Sequence, residues 1–382
     1  MKTVADGFDL NALGAPEILD ALADGVYITD TTRKIVFWNR AAERITGWSA
    51  KDVVGHRCSD NILVHVDKDG HKLCGEEHCP LHRAMLTGEP SLEPLLVFAQ
   101  HKQGRRIPVE VTVAPVRTKE GQILGGIEIF RDWTDVLVDL RRAKVIQDNA
   151  LNSELPSDGR VRFEIIYSPE ELVGGDFYRI ERIDADLYAV MVADVMGHGV
   201  ASALYTMQLR SLWEECRDLL HRPGEFLGAI NRRLHKFTSA DGYFATAVFL
   251  TMHANTGRLR FASAAHPAPL ILRKDGSFGR LVAKSPALGL FEDTSYAEAE
   301  GNLNPGERLF FYTDGAIELC NAQGEELEES GLLRILGESG AVEGSLAETE
   351  KRLLQFTNRI RLPDDLTLLQ LERHSVTERQ SV

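Results

Sequence analysis

The chain has 382 residues, of which 43% are hydrophobic and 26% charged, and a formal net charge of −14. That length exceeds one ordinary domain and implies two or three compact units of globular rather than disordered composition. The acidic balance argues against broad binding to nucleic acid or an anionic membrane, which needs Lys and Arg matched to phosphates. No run approaches the ~20 apolar residues that span a bilayer. The opening MKTVADGFDL has one lysine, two aspartates and no apolar run, so it does not read as a secretory signal, and the chain is expected in the cytoplasm. Its five cysteines would then be kept reduced rather than paired in structural disulfides.

Residues 1–13 read as a tail. From 14 to 132, short β-type runs alternate with short helices. Residues 16–22 read as a helix with Pro16 in its first turn. Residues 25–30 and 34–39 read as a hairpin around a polar turn, and Ala41, Ala42, Ile45 and Trp48 return at helical spacing. Residues 107–116 and 122–130 are β-rich, with Pro108 expected at a strand edge or start because it cannot donate to a ladder. Residues 133–156 carry Trp133, Val136, Leu137, Leu140, Ala143, Ile146, Ala150 and Leu151 at three-to-four spacing, stopped by Pro156. This predicts a long amphipathic helix, either paired with a second copy as a short coiled coil or packed on its own domain. Over 157–373, strands are expected at 163–167, 187–193, 243–252, 259–264, 269–272, 308–312 and 366–371, and helices at 201–220 and 223–237. Strand blocks with helices inserted between them suggest an α+β sandwich rather than a doubly wound sheet. Residues 374–382 read as a polar tail.

The chemistry-bearing residues recur at strand ends. Asp176 precedes a strand in Gly174-Gly175-Asp176, and Asp194 ends an apolar strand before Gly197-His198-Gly199. Asp314 ends another before Gly315, and Asp364-Asp365 precede the last strand. Any one of these reads alone as a turn or cap residue. Several converging on one sheet end would repel and resist burial, and so require a cation. Carboxylates, carbonyls and water suit Mg²⁺ or Mn²⁺. Two such ions about 3.5–4 Å apart can share a water and lower its pKa.

Three cysteines lie within 22 residues, Cys58, Cys74 and Cys79, with His78 and other histidines interleaved. They suit zinc, an iron–sulfur cluster or haem, a redox thiol pair, or three thiols that merely pack.

The stretches GVYITD, IVFWNRAAERITGW, GRRIPVEVTVAPV and GGIEIFRDWTD together resemble a PAS domain. That resemblance implies a five-stranded antiparallel sheet with helices, acting as sensor and dimerisation module. The stretches LVGGDFY, VADVMGHGVASAL, INRRLHKF, YFATAVFL, FASAAHPAPLIL, ALGL, LFFYTDGAIE and PDDLTLLQL resemble the stage II sporulation protein E type of the metal-dependent (PPM, type 2C-like) serine/threonine phosphatases. This second resemblance implies an α-β-β-α sandwich, two Mn²⁺ or Mg²⁺ ions, and in-line hydrolysis of phosphoserine or phosphothreonine by metal-activated water. By matched position, Asp194 bridges the ions with the Val195 carbonyl as a further ligand. Asp314 and Asp364 complete one site and Asp176 supports the other, with Asp365, Gly175, Gly197 and Gly315 behind them. The resemblance further implies a phosphorylated STAS-type anti-sigma-factor antagonist as substrate.

His198 is a candidate acid for the leaving oxygen. It lies four residues after Asp194, where distantly related enzymes place a histidine two residues after, at the position of Met196; the alternative is a loop histidine that holds the next helix. His266, between strands, reads as structural. Met196 stands where the family usually has serine, and Ala265 where it has glycine. The expectation is a sensor-regulated phosphatase that dimerises through the PAS domain and linker helix; the alternative is a catalytically silent phosphoprotein-binding scaffold. A histidine kinase is excluded, because no dimerisation-helix histidine precedes an asparagine box and ATP lid.

Overall fold

The structure is a computed structural model and describes residues 14–68, 70–75, 78–91, 94–151, 155–156, 158–238, 242–340, 346–358 and 362–374. The tail expected over 1–13, and all but the first residue of the tail over 374–382, lie outside them. The chain divides into two units, one ending at Asp139 and the other beginning at Leu140. Among the described residues no helix is long and apolar enough to cross a membrane.

The first unit comprises α1 (Ala15–Asp20), β1 (Gly25–Asp30), β2 (Ile35–Trp38), α2 (Arg40–Thr46), α3 (Ala50–Val53), α4 (Pro80–Thr87), β3 (Leu95–Gln100), β4 (Arg106–Arg117) and β5 (Ile123–Asp132). Its strands form one antiparallel sheet in the order β2-β1-β5-β4-β3, the PAS arrangement expected. The junction of β2 and α2 is set by Asn39, whose buried amide accepts from the Val26 and Ala42 amides and donates to the Leu19 and Asp24 carbonyls. All four of its hydrogen-bonding positions are used. Pro108 sits near the start of β4, one residue before that strand's pairing with β5 begins at Val109, where no ladder donor is needed.

Helix α5 (Thr134–Leu151) follows. Val145 and Ile146 are 58% and 63% exposed, but Leu151 is 1% exposed and belongs to the hydrophobic core of the second unit. At Leu151, of the two packings open for the stripe, the helix packs within its own chain.

The second unit runs β6 (Val161–Ser168), β7 (Asp176–Arg182), β8 (Leu187–Val195), α6 (Val200–Glu215), α7 (Pro223–Thr238), β9 (Ala245–His253), β10 (Arg258–Ala264), β11 (Leu270–Leu272), β12 (Phe278–Arg280), β13 (Ala299–Asn302), β14 (Arg308–Tyr312), α8 (Glu328–Gly340), α9 (Leu346–Thr357) and β15 (Leu366–Arg373). Two five-stranded antiparallel sheets form, β13-β10-β9-β8-β7 and β12-β11-β14-β15-β6. Helices α6 and α7 cover the first sheet, while α8 and α9 cover the second.

Period-two alternation builds this α-β-β-α sandwich. In β14, Leu309 and Phe311 enter the core shared with the first sheet, while Phe310 and Tyr312 face α8 and α9. In β15, Leu369 and Leu371 divide from Leu366 and Leu368 in the same way. Strand β8 is covered on both faces, so Ala189 to Ala193 form an unbroken buried run.

Between β10 and β11 the chain turns through Ala265 at φ +56°, a conformation that crowds a Cβ and costs roughly 1–2 kcal/mol. Glycine avoids that crowding but gains freedom in the unfolded chain. Ala265→Gly is therefore expected to stabilise the protein by about 0.5–1 kcal/mol, read as a higher urea midpoint by circular dichroism.

Candidate metal centre

An antiparallel ladder places the start of one strand beside the end of its neighbour, and this brings distant acids together. Asp176, first in β7, lies directly opposite Asp194 near the end of β8, and Thr246 of β9 faces Asp194 from the other side. Asp314 opens a short 3-10 turn (Asp314–Ala316) after β14. Asp364 and Asp365 immediately precede β15, which pairs with β14.

These groups feel one another. Asp194 is pushed up to about 7, by burial first and then by Asp314, Asp364, Asp365 and Glu318. Asp314 is raised by burial, Asp364 and Glu318. Asp176 is raised well above the usual carboxyl range by burial and by Asp194. Its Oδ2 accepts from the Thr313 and Thr367 hydroxyls at 2.8 and 2.7 Å, while Oδ1 is buried without a donor. A buried carboxyl oxygen without a partner is costly, and a divalent cation is the partner its chemistry suits.

Asp365 does a different job. Its Oδ1 accepts from the Glu170 amide at 2.8 Å and its Oδ2 from the Gly175 amide at 2.5 Å. It fixes the loop that leads into Asp176. Burial raises its pKa while those two amides lower it.

Two glycines admit close backbone approach. A Cβ on Gly175 would lie 2.8 Å from the Val195 carbonyl oxygen, and one on Gly315 would collide with the Asp365 carbonyl. Gly197 adopts φ +84° in the loop after Asp194. Gln147 of α5, buried, donates to the Gly174 carbonyl and the Thr206 hydroxyl at 2.7 and 3.0 Å and accepts from the Gly174 amide at 3.2 Å. That brace was not anticipated from sequence.

Among the described residues no three His, Cys, Asp or Glu side chains close around one point as a finished ion cage. The aspartates form an open cluster, and what fits a hard divalent ion is their donor chemistry: carboxylates with the Val195 carbonyl nearby. His198 is exposed on the rim, with Nδ1 3.1 Å from Glu171. Glu318, Glu170 and Glu171 extend the acidic rim and were missed in the sequence. Glu318 was detectable, since it lies four residues after Asp314 on the same turn and its amide donates to the Asp314 carbonyl at 2.9 Å.

In the first unit, Cys58 and Cys79 are buried, Cys74 is half-buried and His78 is exposed. The group that gathers with the thiols is instead Glu128, which accepts from the Tyr27 hydroxyl at 2.9 Å and lies 3.6 Å from His65 Nε2. Burial pushes Glu128 up to about 8 and His65 down to about 4. Burial likewise pushes Cys58 and Cys74 up to about 12 and about 11, so reactive thiolate is scarce. Alternation along Gly126-Ile127-Glu128-Ile129-Phe130, with Gly126 and Phe130 buried on the same face as Glu128, would have pointed Glu128 inward.

A sandwich of two antiparallel sheets between helix pairs, with aspartates from four strand ends at one edge, defines the PPM (PP2C-like) phosphatase class. The SiaA-PP2C domain of Pseudomonas aeruginosa shares the fold, with a TM-score of 0.55 at 24% identity over 63% of this chain and 98% of that one. The stage II sporulation protein E model matches residues 184–374, half of the chain, and the PAS fold matches residues 16–133; the chain belongs to the stage II sporulation protein E family and carries an N-terminal PAS domain. Its second unit is a serine/threonine protein phosphatase domain. The chain is 31% identical over 183 residues to the phosphoserine phosphatase RsbP of Bacillus subtilis (strain 168), covering 47% of this chain and 45% of RsbP. It is 26% identical over 308 residues to RsbU, a phosphoserine phosphatase of the same strain, covering 79% of this chain and 88% of RsbU.

Because Asp194 rises from 3.8 to about 7 on folding, the folded chain holds that proton more tightly than the unfolded one. Its stabilising contribution is complete below about pH 4 and is lost as pH rises through about 7. Chelator-treated protein is expected to melt at a lower temperature at about pH 8 than at about pH 5.5, with Asp194→Asn reducing the difference; melts followed by circular dichroism check this.

Proposed function

We propose that the chain is a sensor-regulated phosphatase that removes phosphate from phosphoserine or phosphothreonine of a partner protein at the aspartate cluster. The carrying observation is the convergence of Asp194, Asp314, Asp364 and Asp176, three of them with raised pKa and one with an unpartnered buried oxygen. Asp194, Asp314, Asp364, Asp176 and the Val195 carbonyl would hold two Mn²⁺ or Mg²⁺ ions. When bound, such ions supply Lewis-acid activation of water and neutralise phosphate charge.

The chain's own residues prepare that centre. Thr313 and Thr367 orient Asp176, and Asp365 pins the Glu170 and Gly175 amides. Gly175 and Gly315 keep the backbone flush around the acids, and the carboxylates repel a phosphate until their charge is neutralised. His198, held by Glu171 at the rim, is the side chain we place nearest the leaving oxygen as proton donor.

RsbP and RsbU are named phosphoserine phosphatases. For this chain we propose a phosphorylated STAS-type anti-sigma-factor antagonist as substrate, in sigma-factor regulation. The proposed layout is a sensor over 14–132, a linker over 133–156 and a catalytic domain over 157–373. The exposed Val136, Val138, Val145 and Ile146 of α5 support a homodimer joined along that helix.

The test is Mn²⁺-dependent phosphate release by the full chain from p-nitrophenyl phosphate and from a phosphoserine-bearing STAS protein. Asp194→Asn and Asp314→Asn are each expected to lower the rate by more than about hundredfold, since even a partner behind a ligand is worth about 10–100-fold. Tight binding of the phosphoprotein with no phosphate released by the wild type would make the chain a scaffold instead.

A further inference from the structure

One buried polar side chain beside the cluster has no part in the chemistry above. His266 is 7% exposed, and its Nδ1 lies 2.8 Å from Thr246 Oγ1. Thr246 is the residue directly across the β8–β9 ladder from Asp194. On its other side the ring lies against the backbone of Tyr312, two residues before Asp314, and its Nε2 is buried without a hydrogen-bond partner. Burial holds the ring's pKa down to about 3, so at neutral pH it bridges as an uncharged imidazole. One flank thus touches the strand beside Asp194 in the first sheet, and the other lies at the end of the strand that leads into Asp314 in the second.

The surrounding backbone is committed to this placement. Ala265 takes its left-handed conformation immediately before His266 and bridges Ala247 of β9 in the parallel sense. The Ser263 hydroxyl lies 3.5 Å from the His266 carbonyl oxygen as donor. A hydrocarbon side chain would fill the same space without burying an unsatisfied nitrogen, which costs about 1–3 kcal/mol, and without a hydroxyl to meet. Strain and a half-satisfied polar group together, next to reactive groups, point to a constraint other than packing.

We infer that His266 is a positioning residue: by spanning Thr246 and the Tyr312 backbone it sets the separation of Asp194 from Asp314, and through it the affinity of the centre for divalent ions. The inference rests on the metal-dependent reading of the aspartate cluster. A second sheet-to-sheet tie supports the geometry, because Asp176 of the first sheet already accepts from Thr313 and Thr367 of the second. With both ties present, the acids from the two sheets cannot drift apart independently.

The test titrates the full-length protein with Mn²⁺, by calorimetry and by loss of the free-ion paramagnetic resonance signal, beside melting temperature in chelator. Thr246→Val is close to isosteric and removes the hydroxyl; His266→Leu removes both ring nitrogens; His266→Asn keeps an amide near the place of Nδ1. Thr246→Val and His266→Leu are each expected to weaken Mn²⁺ binding by about tenfold, the lower range for groups behind metal ligands, with His266→Asn, which keeps the contact to Thr246 but not the reach to the Tyr312 backbone, falling between His266→Leu and wild type. The double variant should lose no more than His266→Leu alone, since both changes cut one contact. Unchanged Mn²⁺ affinity in Thr246→Val overturns the inference, whether or not His266→Leu folds. A wild-type protein that binds no Mn²⁺ overturns the metal reading itself, a different result from equal affinities.

Discussion

Like charges held together at a partly buried sheet end are the constraint on which this phosphatase domain depends. Two sheets pressed into a sandwich leave their strand tips adjacent, and the chain places a carboxyl group at four of them. Bringing these acids out of water is unfavourable, and the raised pKa values of Asp176, Asp194 and Asp314 express that cost. In the metal-free chain, protons relieve the repulsion; two hard cations would do so without sacrificing the oxygen donors. The surrounding features serve this one problem. Threonine hydroxyls satisfy half of Asp176, backbone amides occupy Asp365, and glycines remove side chains where carbonyls must come close.

The same reasoning extends outward along α5. Gln147 occupies both the amide and the carbonyl of Gly174, the residue before Gly175 and two before Asp176. Drawing that helix away would leave buried backbone groups unpaired, at the point where the loop into the cluster begins. In the PAS unit the buried polar group is of another kind. Glu128, Tyr27 and His65 hydrogen-bond or abut among three thiols whose pKa burial raises.

Much of the architecture was legible because it is written in short-range patterns. Short apolar runs marked β8, β14 and β15, and α7 lies within a stretch read as helical. The aspartates were legible because each ends or begins an apolar run beside glycine. Helices α8 and α9 were not named from the sequence. Helix α8 contains Gly331, Gly337 and Gly340, which weaken its intrinsic preference, and it is held by burial of Leu332, Ile335 and Leu336 against the second sheet. The stripe through Leu151 left its covering neighbour open, because a helical period does not say which surface packs on it.

By itself, the sequence determined the kinds of element and the residues at their tips, since period, glycine and terminal acid are local properties of the chain. Only the tertiary structure decided that Asp176 stands opposite Asp194, that Thr313 and Thr367 reach the former, and that His266 lies between Thr246 and Tyr312. Those pairings join residues up to 191 positions apart. They follow from strand register, which is chosen by how both faces of each sheet bury their side chains and not by any run of adjacent residues.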